Sequence, residues 1–213
     1  MIGGVECKPQ QADGFCRHLF SEGIVSYVIT GIFGFGLYFL YDINSVIWQN
    51  RILHLTFLFG SLILCASTVY ELVHAESLRA FRPVPCLLFF AAVFFLILLI
   101  YTLFFALPFE ATYVSPEGRR AVYDKGVYAL CRHPGVLWFF LFYLFLGLVV
   151  RPSRLLPAGM FYSFLDLLYV IFQDFWTFPR TFTGYDAYKD STPFLLPSAA
   201  SIRRAVRTRR RRG

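Results

Sequence analysis

This chain predicts an all-α integral membrane fold of about five transmembrane helices, on three observations. Of its 213 residues, 57% are hydrophobic and 20% aromatic, while only 15% are charged. A soluble domain of this length carries far more charge. Apolar runs near the ~20 residues that cross a bilayer recur at 22–41, 52–73, 84–107, 135–151 and 155–175. Those spans consume most of the length and leave no separate soluble catalytic domain, so any chemistry must be built from spans and loops.

The elements follow in order. Residues 1–21 form a mostly polar N-terminal segment, and no A-x-A-like cleavage site follows the first apolar run, so that run reads as a span rather than a signal peptide. Ser26, Thr30 and Gly34 recur every four residues along it, a small-residue face suited to close helix packing. In the second span His54, Ser61, Cys65 and Thr68 share a face, with Glu71 and His74 near its end. Polar groups there serve either interhelical hydrogen bonding or a ligand path. The third span is rich in Phe. The fourth has fifteen uninterrupted apolar residues, 136–150, or about 22 Å against a ~30 Å hydrocarbon core. Such a span either begins inside protein at Pro134 or forms with the fifth a hairpin that barely crosses.

The fifth span carries Tyr162, Asp166, Tyr169 and Gln173 at i, i+4, i+7 and i+11, one helical face, with Asp174 and Arg180 just beyond. Ionisable groups at membrane depth mark functional paths, which favours a site here. Residues 22–178 thus make the helical domain, 179–197 a C-terminal segment and 198–213 a basic tail.

Net charge is +7, and the tail SIRRAVRTRRRRG supplies seven arginines: Arg203, Arg204, Arg207 and Arg209 through Arg212. Such a run predicts a solvated, disordered end that touches anionic lipid headgroups. A nucleic-acid arm is the alternative, and the apolar composition argues against it. The positive-inside bias puts the C-terminus in the cytoplasm, because 42–51, 108–134 and all of the chain after the fifth span then hold 14 of the 20 Lys and Arg residues. The five cysteines are scattered, with no CxxC and no metal-like spacing. No metal is expected, and reduced structural thiols are the better reading, although Cys7 and Cys16 would pair if exposed to an oxidising compartment.

Two stretches carry chemistry: GVYALCRHPG before the fourth span, and FQDFWTFPRTFTGYDAYKDSTPFLLP after the fifth. An Arg and a His at the mouth of an apolar helix are costly unless an anionic group meets them. Gly126 and Tyr128 precede Arg132, His133 and Pro134; Gln173 and Asp174 end the next span; Tyr185 and Tyr188 are followed by Pro193 and Pro197. In order and spacing, residues 124–197 resemble the membrane-embedded superfamily of isoprenylcysteine carboxyl methyltransferases and phospholipid methyltransferases. There an Arg-His-Pro opens a span, an acidic pair ends the next, and Tyr-x-x-Tyr with two prolines follows. This chain departs at Val136 and Trp138, where that family has Tyr and Gly, and at Gln173, where it has the first acid.

The resemblance implies S-adenosylmethionine as cofactor, in a cytoplasmic pocket formed by the 108–134 loop, the last two spans and the C-terminal segment. Arg132 and His133 would be catalytic, and Tyr128, Arg132, His133, Pro134, Gln173, Asp174, Tyr185 and Tyr188 would bind the cofactor. Arg132 suits its carboxylate, because a guanidinium fork pairs bidentately with carboxylate oxygens. Asp174, an acceptor-only group, suits its ammonium or ribose hydroxyls. The acceptor would be lipophilic, entering from the bilayer past Tyr162, Asp166, Tyr169 and Trp138. The membrane would be the endoplasmic reticulum in a eukaryote or the inner membrane in a bacterium. Two alternatives stand beside this. The sterol-reductase group shares an Arg-His-Pro-like element and binds NADPH, for which Arg119, Arg120 and Lys125 offer cations. A non-catalytic membrane adaptor on the same scaffold would explain Val136, Trp138 and Gln173.

Overall fold

Helices dominate because long apolar runs without internal polar competition must satisfy their backbone within the segment. The computed structural model describes residues 9–74, 83–106, 120–150 and 154–210. Five long helices come first: α1 (Pro9–Ile43), α2 (Leu55–His74), α3 (Pro83–Ile100), α4 (Pro134–Val149) and α5 (Leu155–Phe172). Three short ones follow: α6 (Phe178–Thr181), α7 (Tyr185–Ser191) and α8 (Ala199–Arg210). One two-residue parallel pairing joins β1 (Arg120–Ala121) to β2 (Phe182–Thr183).

Among the described residues, four stretches are long and apolar enough to cross a membrane: Ile24–Trp48, Leu55–His74, Pro85–Phe105 and Leu155–Thr181. Helix α4 is the short one, Pro134–Val149. Its sixteen residues rise about 24 Å. The predicted spans therefore correspond to helices, with two differences at the ends of the chain. Helix α1 starts at Pro9, inside the segment read as a separate N-terminal piece. The tail forms α8 up to Arg210 instead of a disordered end. Ser198 and Ser201 explain the second. Each backbone N–H donates to the other's hydroxyl, Ser198 N to Ser201 Oγ at 2.9 Å and Ser201 N to Ser198 Oγ at 3.1 Å. That is a reciprocal cap, and it seeds the helix. The Cys7–Cys16 pairing and Arg119 of the 108–134 loop lie outside the described residues or side chains; Cys65, Cys86 and Cys131 are free thiols.

The helices pack in the order α2–α1–α5–α4–α3. Small residues set the closest approaches. A Cβ on Gly60 would sit 2.7 Å from the Gly34 carbonyl oxygen, and one on Gly159 would sit 2.6 Å from Tyr143 Cβ. Gly34, predicted to lie on a packing face, does so; Ser26 on the same face is exposed. Aromatic rings fill the centre, with Tyr162 and Phe35 almost wholly buried. The outward faces of α1, α2 and α3 carry Ile29, Phe33, Leu58, Leu62, Phe90 and Phe94 exposed, as lipid-facing helices require.

A second set of contacts holds the bundle. Four tyrosine hydroxyls bond to side chains of α2: Tyr27 to Glu71, Tyr38 to Ser61 at 2.9 Å, Tyr162 to Ser67 at 3.1 Å and Tyr143 to Thr68 at 2.8 Å. The polar face predicted for α2 is thus partly an interhelical ladder: Ser61 and Thr68 are rungs, whereas His54 and Cys65 are exposed.

Candidate functional site

Pro134 occupies the first position of α4, where its missing N–H and fixed φ cost nothing. That leaves Arg132 and His133 on the approach to the helix, and the C-terminal segment binds their backbone. Arg132 N–H donates to the Pro193 carbonyl at 2.9 Å and His133 N–H to the Phe194 carbonyl at 3.2 Å.

The side chains then converge on one carboxylate. After α5 the chain passes through a π-helical turn, Gln173–Thr177, a local widening of the helix that is frequent at functional sites. Asp174 in that turn is 1% exposed. Arg132 Nε donates to Asp174 Oδ1 at 2.9 Å and Nη2 to Oδ2 at 3.1 Å, a bidentate pair. Arg132 Nη1 donates to the carbonyls of Lys189 at 2.9 Å and Thr192 at 2.8 Å. Tyr185 OH donates to Oδ1 at 2.7 Å, and His133 Nε2 lies 3.1 Å from the same oxygen. Lys189 Nζ stands 3.9 Å from Oδ2 and is the more exposed cation, 26% against 10% for Arg132. Phe194 closes the cluster: the Arg132 guanidinium lies 5.6 Å from its ring, and His133 packs between it and Phe178.

Burial sets the protonation of the groups around this clasp. It pushes His133 below the ordinary imidazole value, outweighing Asp174, which pulls the other way. His133 is thereby neutral at pH 7. Burial, reinforced by the hydrogen bond to Asp174, raises the Tyr185 hydroxyl, and burial raises Tyr188. Burial also pushes Tyr128 up to about 12 and Cys131 up to about 11.

Of the predicted cofactor residues, Arg132, His133, Asp174 and Tyr185 meet around one carboxylate. Tyr128 and Tyr188 form an adjoining layer. Tyr188 OH donates to the Tyr128 carbonyl at 2.7 Å, and Tyr128 OH reaches the Thr102 carbonyl at 2.9 Å. Gln173 stands apart, its Nε2 donating to Tyr169 OH at 2.9 Å. The four residues expected to line an acceptor pocket do not face one space. Tyr162 and Tyr169 pack on α1, against Gly31 and Phe35. Trp138 stacks on Phe95 of α3 at 6.0 Å, and its indole N–H has no hydrogen-bond partner among the described residues. Asp166 is half-buried on α5.

Four residues escaped the sequence. Lys189, Thr192 and Phe194 belong to the clasp, and the stretch YKDSTPF, between the two tyrosines and the prolines already singled out, was the available signal. Asp42 is 3% exposed at the end of α1's apolar run. It accepts from Thr177 Oγ1 at 3.3 Å and from Gln173 and Tyr169, tying the π turn to α1. No family model, curated protein or solved structure matches the chain.

Proposed function

We propose that the chain is a membrane methyltransferase that uses S-adenosylmethionine to methylate the carboxylate or amine of a lipophilic acceptor drawn from the bilayer. One observation carries this: the Arg-His-Pro stretch meets, at one buried point, the acid after α5, 41 to 42 residues later, and Tyr185 of the Tyr-x-x-Tyr segment, 11 residues beyond that acid. It lies where α1 and α5 end and α4 begins, the end read as cytoplasmic.

The donor set fits the anionic end of the cofactor. Arg132 and Lys189 bring two positive charges to one carboxylate, and Lys189 is the one with exposed surface. Arg132 and Lys189 would hold the cofactor's carboxylate, with Tyr185 and Tyr188 beside it. Asp174 is already met by Arg132, Tyr185 and His133, so its work is to orient them rather than to take the ammonium. The bound cofactor supplies an electrophilic methyl group. A carboxylate acceptor then needs only alignment, which is worth roughly 7–11 kcal/mol when groups are well oriented. An amine acceptor must lose a proton, and neutral His133 can take it. The lipid-facing helices admit a lipophilic acceptor sideways, in an endoplasmic-reticulum or bacterial inner membrane.

A second reading has its own observation. Nε, Nη1 and Nη2 of Arg132 all find acceptors inside the chain, as they would in a non-catalytic adaptor whose clasp is purely structural. Calorimetric titration with S-adenosylhomocysteine, on protein in lipid nanodiscs, separates the two. Binding that weakens at least tenfold in Lys189→Ala and Arg132→Ala supports the enzyme. No binding to wild type sinks it. NADPH titrated alongside tests the reductase alternative.

A further inference from the structure

The basic tail is a built part of the fold, and its position gives it a task. Helix α8 packs on the 126–129 turn that leads into Arg132. Ser201 is buried against the body, whereas Ile202 and Val206, one turn apart, are 47% and 53% exposed. Arg203 is exposed among them, and Arg207, Arg209, Arg210, Arg211 and Arg212 follow in sequence. Apolar residues projecting beside a dense row of cations are the pattern of a helix lying in a membrane interface. Its apolar side chains enter the acyl boundary while its arginines meet headgroups. The site lies at the end of the bundle where apolar helices α1 and α5 finish, which is where a bilayer surrounding those helices has its headgroups.

Arg204 on the inner side of α8 donates to the Ser191 carbonyl and, at 3.4 Å, to Thr192 Oγ1. The Thr192 carbonyl in turn accepts from Arg132. One residue therefore joins α8 to the clasp.

We propose that α8 binds an anionic lipid surface and that this binding tightens the clasp through Arg204, Thr192 and Arg132. A headgroup layer that fixes α8 in the interface holds Arg204 against the 191–192 backbone and so holds Thr192 where Arg132 needs its carbonyl. Charge complementarity selects the occupant. Seven arginines and no acid in 198–213 call for a polyanionic surface, and the exposed Ile202 and Val206 call for one with an apolar interior. A nucleic acid supplies the first and not the second. The inference stands on the clasp's geometry and is separate from methyl transfer.

Amide hydrogen exchange on the full chain tests it, in nanodiscs of phosphatidylcholine alone or mixed with phosphatidylglycerol. The reporters are the N–H groups of Arg132, His133 and Thr192, bonded to the carbonyls of Pro193, Phe194 and Tyr188. Anionic lipid should slow their exchange several-fold, together with that of α8. The slowing should disappear in Arg203→Gln/Arg207→Gln and shrink in Ile202→Ser/Val206→Ser. Arg203, Ile202 and Val206 are exposed, so the changes at these three positions spare the packed side of the helix. Equal exchange in both lipids overturns the proposal, as does slowing confined to α8. RNA added to phosphatidylcholine discs should leave the reporters unchanged; slowing as large as that with phosphatidylglycerol would overturn the lipid assignment.

Discussion

Two polar assemblies hold this molecule, and they use opposite strategies. The tyrosine ladder spreads hydroxyl bonds along α2, and several rungs have a fallback. Ser61 and Thr68 also donate to Phe57 and Leu64 carbonyls one turn earlier. The clasp concentrates two cations, an imidazole and a phenol on Asp174. Losing one of these rungs removes one bond, and its hydroxyl on α2 keeps the carbonyl one turn earlier. Losing Asp174 strands Arg132, a cation with little access to water. Distributed neutral bonding tolerates damage; convergent charged bonding does not.

That contrast is sharpest at its centre. Asp174→Ala should cost about 3–5 kcal/mol, the range for a buried pair broken on one side, read as a fall in chemical-denaturation midpoint and faster proteolysis in 185–194. Arg132→Met/Asp174→Leu should recover much of that loss, because no charge is left stranded. A double variant as unstable as Asp174→Ala would show that packing, not charge, sets the cost. Gly159→Ala comes next, at about 1–3 kcal/mol for an overpacked contact. Its new methyl would meet Tyr143 Cβ and lift that hydroxyl off Thr68. Tyr143→Phe, which keeps the packing and deletes one rung, should cost only about 0.6 kcal/mol, the average for interhelical bonds in membranes. A loss above ~2 kcal/mol would refute the distributed picture.

The smallest effect is a pH dependence. Burial lowers the folded-state value of His133 below its ordinary 6.5, so below about pH 6.5 the unfolded chain takes up a proton that the folded chain does not. Stability contributed by neutral His133 is complete above that value and is lost as pH falls through it towards the folded-state value. His133→Gln should flatten the acid side of a stability–pH curve and leave the neutral side parallel. An unchanged acid side would remove His133 as the sensor. The hydroxyl–hydroxyl rungs at Ser61, Ser67 and Thr68 should contribute no slope across this range.

Much of the architecture was legible because apolar runs and helices coincide. The clasp was legible for the same reason at short range: Arg132, His133 and Pro134 crowd a helix start that is costly unless an anion answers it. The identity of that anion was not legible. Asp174 was assigned to a cofactor's ammonium, while the fold turns it to Arg132. The π turn at Gln173–Thr177 is why: a stripe drawn with ordinary helical spacing runs through Gln173, which points to Tyr169 and Asp42, and says nothing about where Asp174 turns. Asp42 was hidden by its place at the edge of an apolar run, where an acid reads as loop. Helix α8 was hidden by charge, because five of its twelve residues are arginines and its cap uses serine in the position where a glutamate would have signalled a start.

The clasp also has a history within each molecule. Asp174 follows Arg132 by 42 residues and Thr192 follows it by 60. At about 5–20 residues per second, the ribosome delivers Arg132 several seconds before its partners. During that interval α4 carries a cation at its mouth with its partners not yet made. A helix of only sixteen apolar residues is easily parked at the surface or expelled at that stage. Biogenesis therefore hinges on the final segment of translation, and a message truncated after α5 yields a bundle with an open end.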